Sequence, residues 1–203
     1  MSETRKVVLI TGATGWLGQF VYKELQCSSL QLDIHAIYHS AMPEWGASEN
    51  WHYLDLSDSV SIDSLISKIL PDIVLHLAAL SSPVACHKNP KLAFQINRPT
   101  ALVTSLSKYK STSLLIFSST DLVYDGEHAP YNTSAVLSPK TVYGQTKASF
   151  EEDVLTLENG VVLRLSNMIG PKFQYQYAGC KFLQFLNEAW EKREYVSVYI
   201  IEP

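Results

Sequence analysis

The sequence is poor in cysteine. Its 203 residues include only Cys27, Cys86 and Cys180, which are widely spaced. An odd number of scattered cysteines fits neither a disulfide framework nor a zinc site. We therefore expect a reduced, cytoplasmic protein without a structural metal.

Charge of one sign and long apolar runs are also missing. Sixteen Lys and Arg residues and twenty Asp and Glu residues are mixed along the chain, for a net charge of -4. No basic block indicates a nucleic-acid partner. No stretch approaches the roughly 18 apolar residues that a membrane span needs, and the apolar run near the N-terminus is too short for a signal peptide. We expect neither nucleic acid nor membrane as a partner.

What the sequence does contain is an alternation of short β-rich runs and helical patterns. Several of the runs are continuously apolar, as in strands buried on both faces. The expected strands are 7–11, 34–39, 51–56, 73–79, 114–118 and 161–165. The expected helices are 17–25, 62–70, 94–109 and 141–157. This order predicts an α/β fold of Rossmann type, a doubly wound parallel sheet with helices on both faces.

A glycine-rich turn follows the first expected strand. The segment TGATGWLG places Gly12, Gly15 and Gly18 three residues apart. A tight strand-to-helix turn needs residues without a Cβ, and a pyrophosphate is favoured where backbone N–H groups open a helix. The spacing is GxxGxxG, not the common GxGxxG, but its position after the first strand predicts a dinucleotide site.

The choice of dinucleotide depends on the end of the second strand. An NAD preference usually needs an acid about 20 residues after the glycines, at that strand end. Asp33 has the right count but precedes the expected strand, which ends in Tyr38, His39 and Ser40 without a carboxylate or an arginine. We therefore expect NADP, with NAD as the alternative. Asp55 and Leu56 follow the third strand. They are candidates to contact the adenine, and Asp55 is equally well explained as a turn residue.

A candidate proton-transfer site follows the fifth strand. That strand ends in Ser-Ser-Thr at Thr120, and Tyr143 and Lys147 share a helix face because they are four residues apart. A phenol has an ordinary pKa near 10, which a lysine ammonium and a cationic nicotinamide lower. The expected chemistry is hydride transfer to or from a carbonyl, with Tyr143 moving the proton. The YxxxK pattern is common by accident, but its order behind the glycine turn favours the catalytic interpretation.

Six segments together resemble the extended short-chain dehydrogenase/reductases. The closest resemblance is to the dTDP-4-dehydrorhamnose reductase-like group, which includes the regulatory β subunit of methionine adenosyltransferase. The segments are TGATGWLG, HLAA at 76–79, STDLVYDG at 119–126, PYNTSAVLSP at 130–139, VYGQTK at 142–147 and RLSNMIGP at 164–171. The resemblance covers residues from about 5 to 190.

The resemblance implies roles for individual residues. Thr120, Tyr143 and Lys147 are implied as the catalytic trio, which also contacts the cofactor through Tyr143 and Lys147. The residues implied to line the pyrophosphate are Gly12, Gly15, Trp16, Leu17 and Gly18. The residues implied beside the rest of the cofactor are Ala78, Ala79, Asn97 and Asn167. His39, Asp55 and Leu56 are expected near the cofactor from their places at the ends of the second and third strands. Asn97 is also implied to support the Lys147 region.

Other residues are interpreted as structural. His76, in the fourth strand, reads as a hydrogen-bonded core histidine, and Arg164 reads as structural. Cys86, His87 and Lys88 read as part of a loop that follows the fourth strand. Members of the group are longer than this chain. We expect residues 1–170 to form the NAD(P)-binding Rossmann domain and 171–203 to begin a substrate-binding region that is truncated.

The resemblance leaves three functions open. The first is an NAD(P)H-dependent reductase of a keto group on a nucleotide-activated deoxysugar. The second is a non-catalytic regulatory subunit that binds NADP and a protein partner. The third is a sugar-nucleotide epimerase or dehydratase. Dehydratases usually carry an acidic pair beside the threonine, whereas Thr120 is followed here by Asp121 and Leu122. A homodimer is expected only by analogy with the superfamily.

Overall fold

A single parallel sheet organises the chain. The computed structural model describes residues 5–46, 49–168 and 170. The strands are β1 (Lys6–Thr11), β2 (Leu32–Tyr38), β3 (Trp51–Tyr53), β4 (Ile73–His76), β5 (Leu114–Thr120) and β6 (Gly160–Leu165). They lie in the order β3-β2-β1-β4-β5-β6, and every neighbouring pair is parallel. The predicted Rossmann-type sheet is confirmed.

Helices connect the strands. They are α1 (Trp16–Cys27), α2 (Ser59–Ile69), α3 (Pro83–Lys88), α4 (Pro90–Asn97), α5 (Thr100–Tyr109) and α6 (Val142–Val154). Two short 3-10 turns, Glu44–Gly46 and Asp121–Val123, complete the described elements. Within the described ranges, no helix combines the length and apolar character that crossing a bilayer requires.

The two faces of the sheet bury separate cores, because side chains alternate along each strand. In β1, Leu9 belongs to one core, whereas Val8 and Ile10 belong to the other. The first core contains buried residues of α2, α5 and α6, namely Ile62, Ile66, Leu102, Val103, Leu106, Phe150 and Val154. The second core contains Ala13, Tyr22, Ala36 and Trp51. Burial on both faces explains why the strand sequences are continuously apolar.

The long helix expected at 94–109 was wrong, because α4 ends at Asn97 and α5 begins at Thr100. Proline lacks a backbone N–H and disfavours helical geometry in the residue before it, so Pro99 separates the two helices. Arg98, at the break, has a φ of -123° and is the C-cap residue of α4, where its backbone N–H donates to the carbonyl oxygen of Phe94.

The loop expected around Cys86, His87 and Lys88 was also wrong. These residues lie in α3, which begins after Ser82, and the Ser82 side chain accepts a hydrogen bond from Ala85 N. The next helix, α4, begins in the same way after Asn89. Serine or asparagine followed by proline is a helix-start signal, since the side chain caps and proline suits the first helical position. The sequence contains both signals, Ser82-Pro83 and Asn89-Pro90.

Several strand boundaries differ from the expected ones, and three of the differences affect candidate site residues. The third strand ends at Tyr53 and the fourth at His76, so Asp55, Ala78 and Ala79 lie in the loops beyond them. The second strand begins at Leu32 and therefore includes Asp33, which was expected to precede it. Asp33 still lies near the start of β2, at the edge of the sheet opposite the carboxyl ends of the strands. The region expected to begin substrate binding, 171–203, lies outside the described residues.

Candidate active site

The glycine turn connects β1 to α1 at the carboxyl edge of the sheet. Gly12 has a φ of +70°, a conformation that L side chains rarely adopt. A Cβ placed there would lie 2.7 Å from the backbone nitrogen of Ala78. Gly12 therefore lets the end of β1 approach the loop after β4, where sheet register already sets Thr11 beside His76. Gly15 precedes the first residue of α1, and Gly18 lies in its first turn.

A cleft of about 290 Å³ opens beside this turn. It lies outside the carboxyl ends of the strands, at the point where the chain leaves β1 in one direction and β4 in the other. Ligands of open α/β sheets bind at this place. The cleft brings together six of the expected cofactor residues, namely Gly12, His39, Asp55, Leu56, Ala78 and Ala79. It also contains residues that the sequence reasoning missed, namely Thr14, Ile37, Tyr38, Leu54, Leu80 and Ile96. Most of these adjoin predicted residues in the chain, but Ile96 carried no signal except its place before Asn97.

A histidine and a carboxylate face each other in this cleft. Nε2 of His39 lies 3.9 Å from Oδ2 of Asp55. The backbone N–H and the hydroxyl of Ser57 donate to Oδ1 of Asp55 at 2.8 and 2.7 Å. These two bonds, the backbone bond first, hold the pKa of Asp55 below its ordinary value. The His39 ring also stacks on Tyr53, with centroids 6.0 Å apart.

Trp16 and Leu17 lie in the first turn of α1, outside the residues that line the cleft. Trp16 is only 7% exposed and packs edge-on against Phe20, with ring centroids 5.1 Å apart. Gly170 lies against the indole, since a Cβ there would be 2.8 Å from Cζ2 of Trp16. Trp16 therefore packs against other parts of the chain.

Tyr143 and Lys147 lie on α6, which packs against β5 and the 3-10 turn that follows it. The helix begins after Thr141, whose hydroxyl accepts a hydrogen bond from Gly144 N at 3.0 Å. A Cβ at Gly144 would overlap the carbonyl oxygen of Leu122 in the turn. Glycine in the VYGQTK segment thus allows α6 to sit directly on the strand end that carries Thr120.

Thr120 is the last residue of β5, and its hydroxyl is hydrogen-bonded to the turn that follows. It accepts a hydrogen bond from Leu122 N and donates to Oδ1 of Asp121, both at 3.2 Å. The residue is 6% exposed. Its side chain is therefore fixed at the base of α6, and its position is set by the turn that follows it.

Lys147 is buried to an unusual degree for a lysine, at 2% exposure. Its Nζ lies 4.1 Å from the centroid of the Phe117 ring. Burial lowers the pKa of Lys147 to about 7, and the negative charge of Glu151 opposes that shift. Lys147 is thus close to its titration midpoint at neutral pH.

The pKa of Tyr143 moves in the opposite direction from the sequence-based expectation. Burial, followed by the nearby Cys86 and Asp121, raises it to about 12. Desolvation disfavours a charged phenolate just as it disfavours a charged ammonium. The expected lowering was therefore wrong for the chain by itself, because burial of the phenol is the largest cause of the shift.

Asn97 ends α4 in a buried position, at 1% exposure. Its Oδ1 accepts from Leu80 N at 2.7 Å, and its Nδ2 donates to Oγ1 of Thr146 at 3.0 Å. Asn97 therefore links the cleft wall at Leu80 to the residue before Lys147. Asn167 is exposed, two residues beyond β6, and no described contact tests its expected role.

Arg164 has the structural position expected of it. Its Nη2 lies 2.7 Å from Oε2 of Glu151, and its Nη1 donates to the Tyr124 hydroxyl at 2.7 Å. The Ser119 hydroxyl donates to Oε1 of Glu151, which is 1% exposed. Sequence reasoning missed Glu151, although its spacing of four residues from Lys147 was a usable signal.

His76 lies in the core, as expected, but only one of its ring nitrogens is hydrogen-bonded. Nδ1 lies 2.8 Å from Oγ1 of Thr11, whereas Nε2 is buried without a partner among the described residues. Burial lowers the pKa of His76 to about 3, so the ring is neutral at physiological pH.

On the loop after β5, potential metal-ligand atoms of Asp125, Glu127 and His128 lie within 4.8 Å of one another. Because the three are hydrogen-bonded within the exposed loop, we assign no metal to them.

The chain belongs to the family described as "RmlD substrate binding domain", whose model matches residues 5–200. It is 34% identical over 167 residues to methionine adenosyltransferase 2 subunit beta of Xenopus tropicalis. That match covers 80% of this chain and 47% of the relative, so the chain spans about half the length of the curated relatives it matches.

Two solved structures are similar in fold. A hypothetical dTDP-4-dehydrorhamnose reductase from Sulfolobus tokodaii has a TM-score of 0.72 and 26% identity, covering 83% of this chain and 58% of its own. The dTDP-4-dehydrorhamnose reductase of Bacillus anthracis, solved with NADP, has a TM-score of 0.78 and 24% identity, covering 98% of this chain and 64% of its own. At that identity the second likeness shows the fold alone.

Proposed function

We propose that this chain is the cofactor-binding part of an NADP-dependent reductase that acts on a keto group of a nucleotide-activated deoxysugar. The observation that carries the proposal is the buried Lys147, one helical turn after Tyr143, on a helix seated against the strand end that bears Thr120. Burying a lysine is costly, and such perturbed groups cluster at functional sites. On this proposal residues 1–170 are the nucleotide-binding domain, and 171–203 begin the substrate-binding region.

The cleft fits a dinucleotide. Gly12 lines the cleft, and a pyrophosphate beside it would lie near the backbone N–H groups that open α1. The end of β2 carries Tyr38 and His39 and no carboxylate that would repel a 2′-phosphate. The proposed contacts are His39 with the ribose phosphate, and Asp55 and Leu56 with the adenine. These features favour NADP over NAD.

The chain's own residues provide the proton. When bound, the reduced dinucleotide supplies a hydride to the substrate carbonyl. The Thr120 hydroxyl turns its proton from Oδ1 of Asp121 to the substrate oxygen. Tyr143 donates its own proton to that oxygen as negative charge develops on it. A phenol with a pKa of about 12 is fully protonated at neutral pH, which suits the reductive direction. Lys147, when charged, favours the phenolate that remains after the transfer.

The proposal is tested first by cofactor binding. Ligand that binds only the folded state raises its stability by about 2.7 kcal/mol at a hundredfold excess over Kd. For a domain of this size that corresponds to roughly 5–10 °C in melting temperature. We expect a saturable rise with NADPH and a smaller rise with NADH. No rise with either cofactor would contradict the dinucleotide site.

Turnover is tested with Tyr143→Phe and a dTDP-4-dehydro-deoxysugar. We expect the variant to bind NADPH normally and to lose at least about a hundredfold in kcat, the usual contribution of a general acid. Tyr109→Phe is the matched control, because that phenol lies on α5 and donates to Asp63. Equal activity of Tyr143→Phe and wild type would exclude Tyr143 as the proton donor.

A second function is favoured by the curated relatives. The 34% identity to methionine adenosyltransferase 2 subunit beta supports a regulatory role in which the chain binds NADP and a catalytic subunit. The same Tyr143→Phe variant separates the two proposals. If the chain binds a methionine adenosyltransferase catalytic subunit, and the variant alters that enzyme's activity as wild type does, catalysis at Tyr143 is not the role.

A further inference from the structure

The charge state of Lys147 depends on groups from four elements. His76 on β4 faces it and remains neutral, and Tyr143 on α6 remains a neutral phenol. Phe117 on β5 offers its ring face to the ammonium. Among the described residues, Glu151, four residues further along α6, brings a negative charge to Lys147, and Arg164 on β6 is paired with that carboxylate.

Glu151 is built into the core as a carboxylate. It is 1% exposed, and its two oxygens accept hydrogen bonds from the Ser119 hydroxyl and from Nε and Nη2 of Arg164. A buried carboxylate requires such partners, since each unmatched lone pair there is costly. The Arg164 guanidinium pairs closely with this carboxylate, with Nη2 2.7 Å from Oε2.

We propose that Glu151 is a positioning residue for the reaction, holding Lys147 as an ammonium ion, and that Arg164 moderates this effect by partly neutralising the carboxylate. The inference rests on the proposed function of Tyr143 and Lys147. Glu151 does not touch the reacting atoms. It acts through the charge of Lys147, and through Ser119 it also braces the strand end next to Thr120.

The expected size of the effect follows from Coulomb's law. The Cβ atoms of residues four apart on a helix are about 6 Å apart, and we take this as the separation of the two charges. At an effective dielectric constant of about 20, a unit charge at that distance shifts a pKa by about two units. Arg164 cancels part of this shift. Without Glu151, Lys147 is largely neutral at pH 7, and its charge is absent when Tyr143 has to give up its proton.

The proposal predicts a particular order for the titration midpoint of Lys147 in wild type and in three variants, and this order distinguishes it from a purely structural role. Arg164→Gln leaves Glu151 alone and raises the midpoint above that of wild type. Glu151→Gln leaves Arg164 alone and lowers it by at least about one pH unit. The double variant removes both charges and falls between wild type and Glu151→Gln. A purely structural role has no reason to move the two single variants in opposite directions.

The experiment is the pH dependence of NADPH affinity between pH 5.5 and 9.5, measured by fluorescence titration for wild type and the three variants. Lys147→Met identifies the transition, because it removes the titrating group. At pH 7.5 we expect Glu151→Gln to bind NADPH roughly five- to tenfold more weakly than wild type. Unchanged midpoints, or shifts in the same direction for both single variants, would overturn the inference.

Two further measurements keep the test decisive. Each single variant leaves a buried charge unpaired and risks misfolding, whereas the double variant removes both members of the ion pair. If the Lys147 titration midpoint of the double variant equals that of wild type, the proposal is overturned. The same midpoints appear without cofactor in the pH dependence of urea unfolding. If wild type binds no NADPH, the proposed function fails, while the unfolding midpoints still support or refute the role of Glu151.

Discussion

Replacing Lys147 by methionine is expected to stabilise the protein near neutral pH, although it removes a proposed catalytic group. Lys147 is 2% exposed, and burial lowers its pKa from 10.5 to about 7. Methionine has a similar length and flexibility and carries no charge to desolvate. It keeps the side-chain packing against Phe117. The variant therefore isolates the cost of holding an ammonium ion in this place.

The magnitude follows from linkage. Below about pH 7 lysine is protonated in both states, and the folded state bears the full cost of burying the charge. Between pH 7 and 10.5 the unfolded chain binds more protons than the folded chain, so stability rises with pH. A shift from 10.5 to about 7 corresponds to about 5 kcal/mol. We expect Lys147→Met to be more stable than wild type by several kcal/mol at pH 6, with the gain shrinking toward zero by about pH 10.

The assay is urea unfolding followed by circular dichroism at pH 6, 7.5 and 9. Lys91→Met is the matched control, because Lys91 is exposed on α4 and its replacement is expected to change stability by less than about 0.5 kcal/mol. A Lys147→Met protein that is less stable than wild type at pH 6 refutes the reasoning. A gain that does not depend on pH refutes it as well, since packing would then be the cause.

Three further predictions concern other parts of the chain. Gly12→Ala is expected to abolish NADPH binding and to destabilise the fold more than Gly126→Ala, because both glycines have a positive φ but only Gly12 would place a Cβ against Ala78; equal melting temperatures for the two variants would contradict this. His39→Glu is expected to reverse the cofactor preference toward NADH in binding titrations, since it puts a carboxylate at the end of β2; an unchanged ratio of NADPH to NADH affinity would exclude His39 from the phosphate site. Burial and then the charges of His35 and Lys68 lower the pKa of His52, so stability is lost as pH falls below about 6.5, and His52→Gln is expected to flatten the fall in melting temperature between pH 7 and 5; an identical slope would locate the acid sensitivity elsewhere.

The sheet was predictable because buried parallel strands leave a clear trace in the sequence. Val7 to Ile10 and Leu114 to Phe117 are apolar at every position, as strands covered on both faces must be. The helix breaks were less visible, although Pro99 and the Ser82-Pro83 pair contain the physical reason for each. Reading proline as a helix start, as well as a helix stop, would have identified both α3 and the break between α4 and α5.

The positions of the candidate site residues were partly predictable, but their surroundings were not. Gly12, Ala78 and Asp55 are brought to one cleft from three separate strand ends, as their places in the alternating pattern implied. Asn97 and Glu151 are polar residues within helices, and such residues are usually exposed. Nothing local in the sequence shows that each is almost completely buried, because that depends on which other elements pack over it.

Two of the ionisable groups on α6, Tyr143 and Lys147, show why burial matters for chemistry as well as for folding. Tyr143 and Lys147 are one turn apart, and desolvation is the first cause of both shifts, yet the pKa of one rises and that of the other falls. Desolvation favours the neutral form of each, so the phenol keeps its proton while the lysine is close to losing its own. In the proposed reduction, the first effect would provide the proton, and the second would weaken the positive charge that stabilises the phenolate left behind. A buried carboxylate near Lys147 opposes the second effect without lowering the pKa of Tyr143, and Glu151 occupies that position.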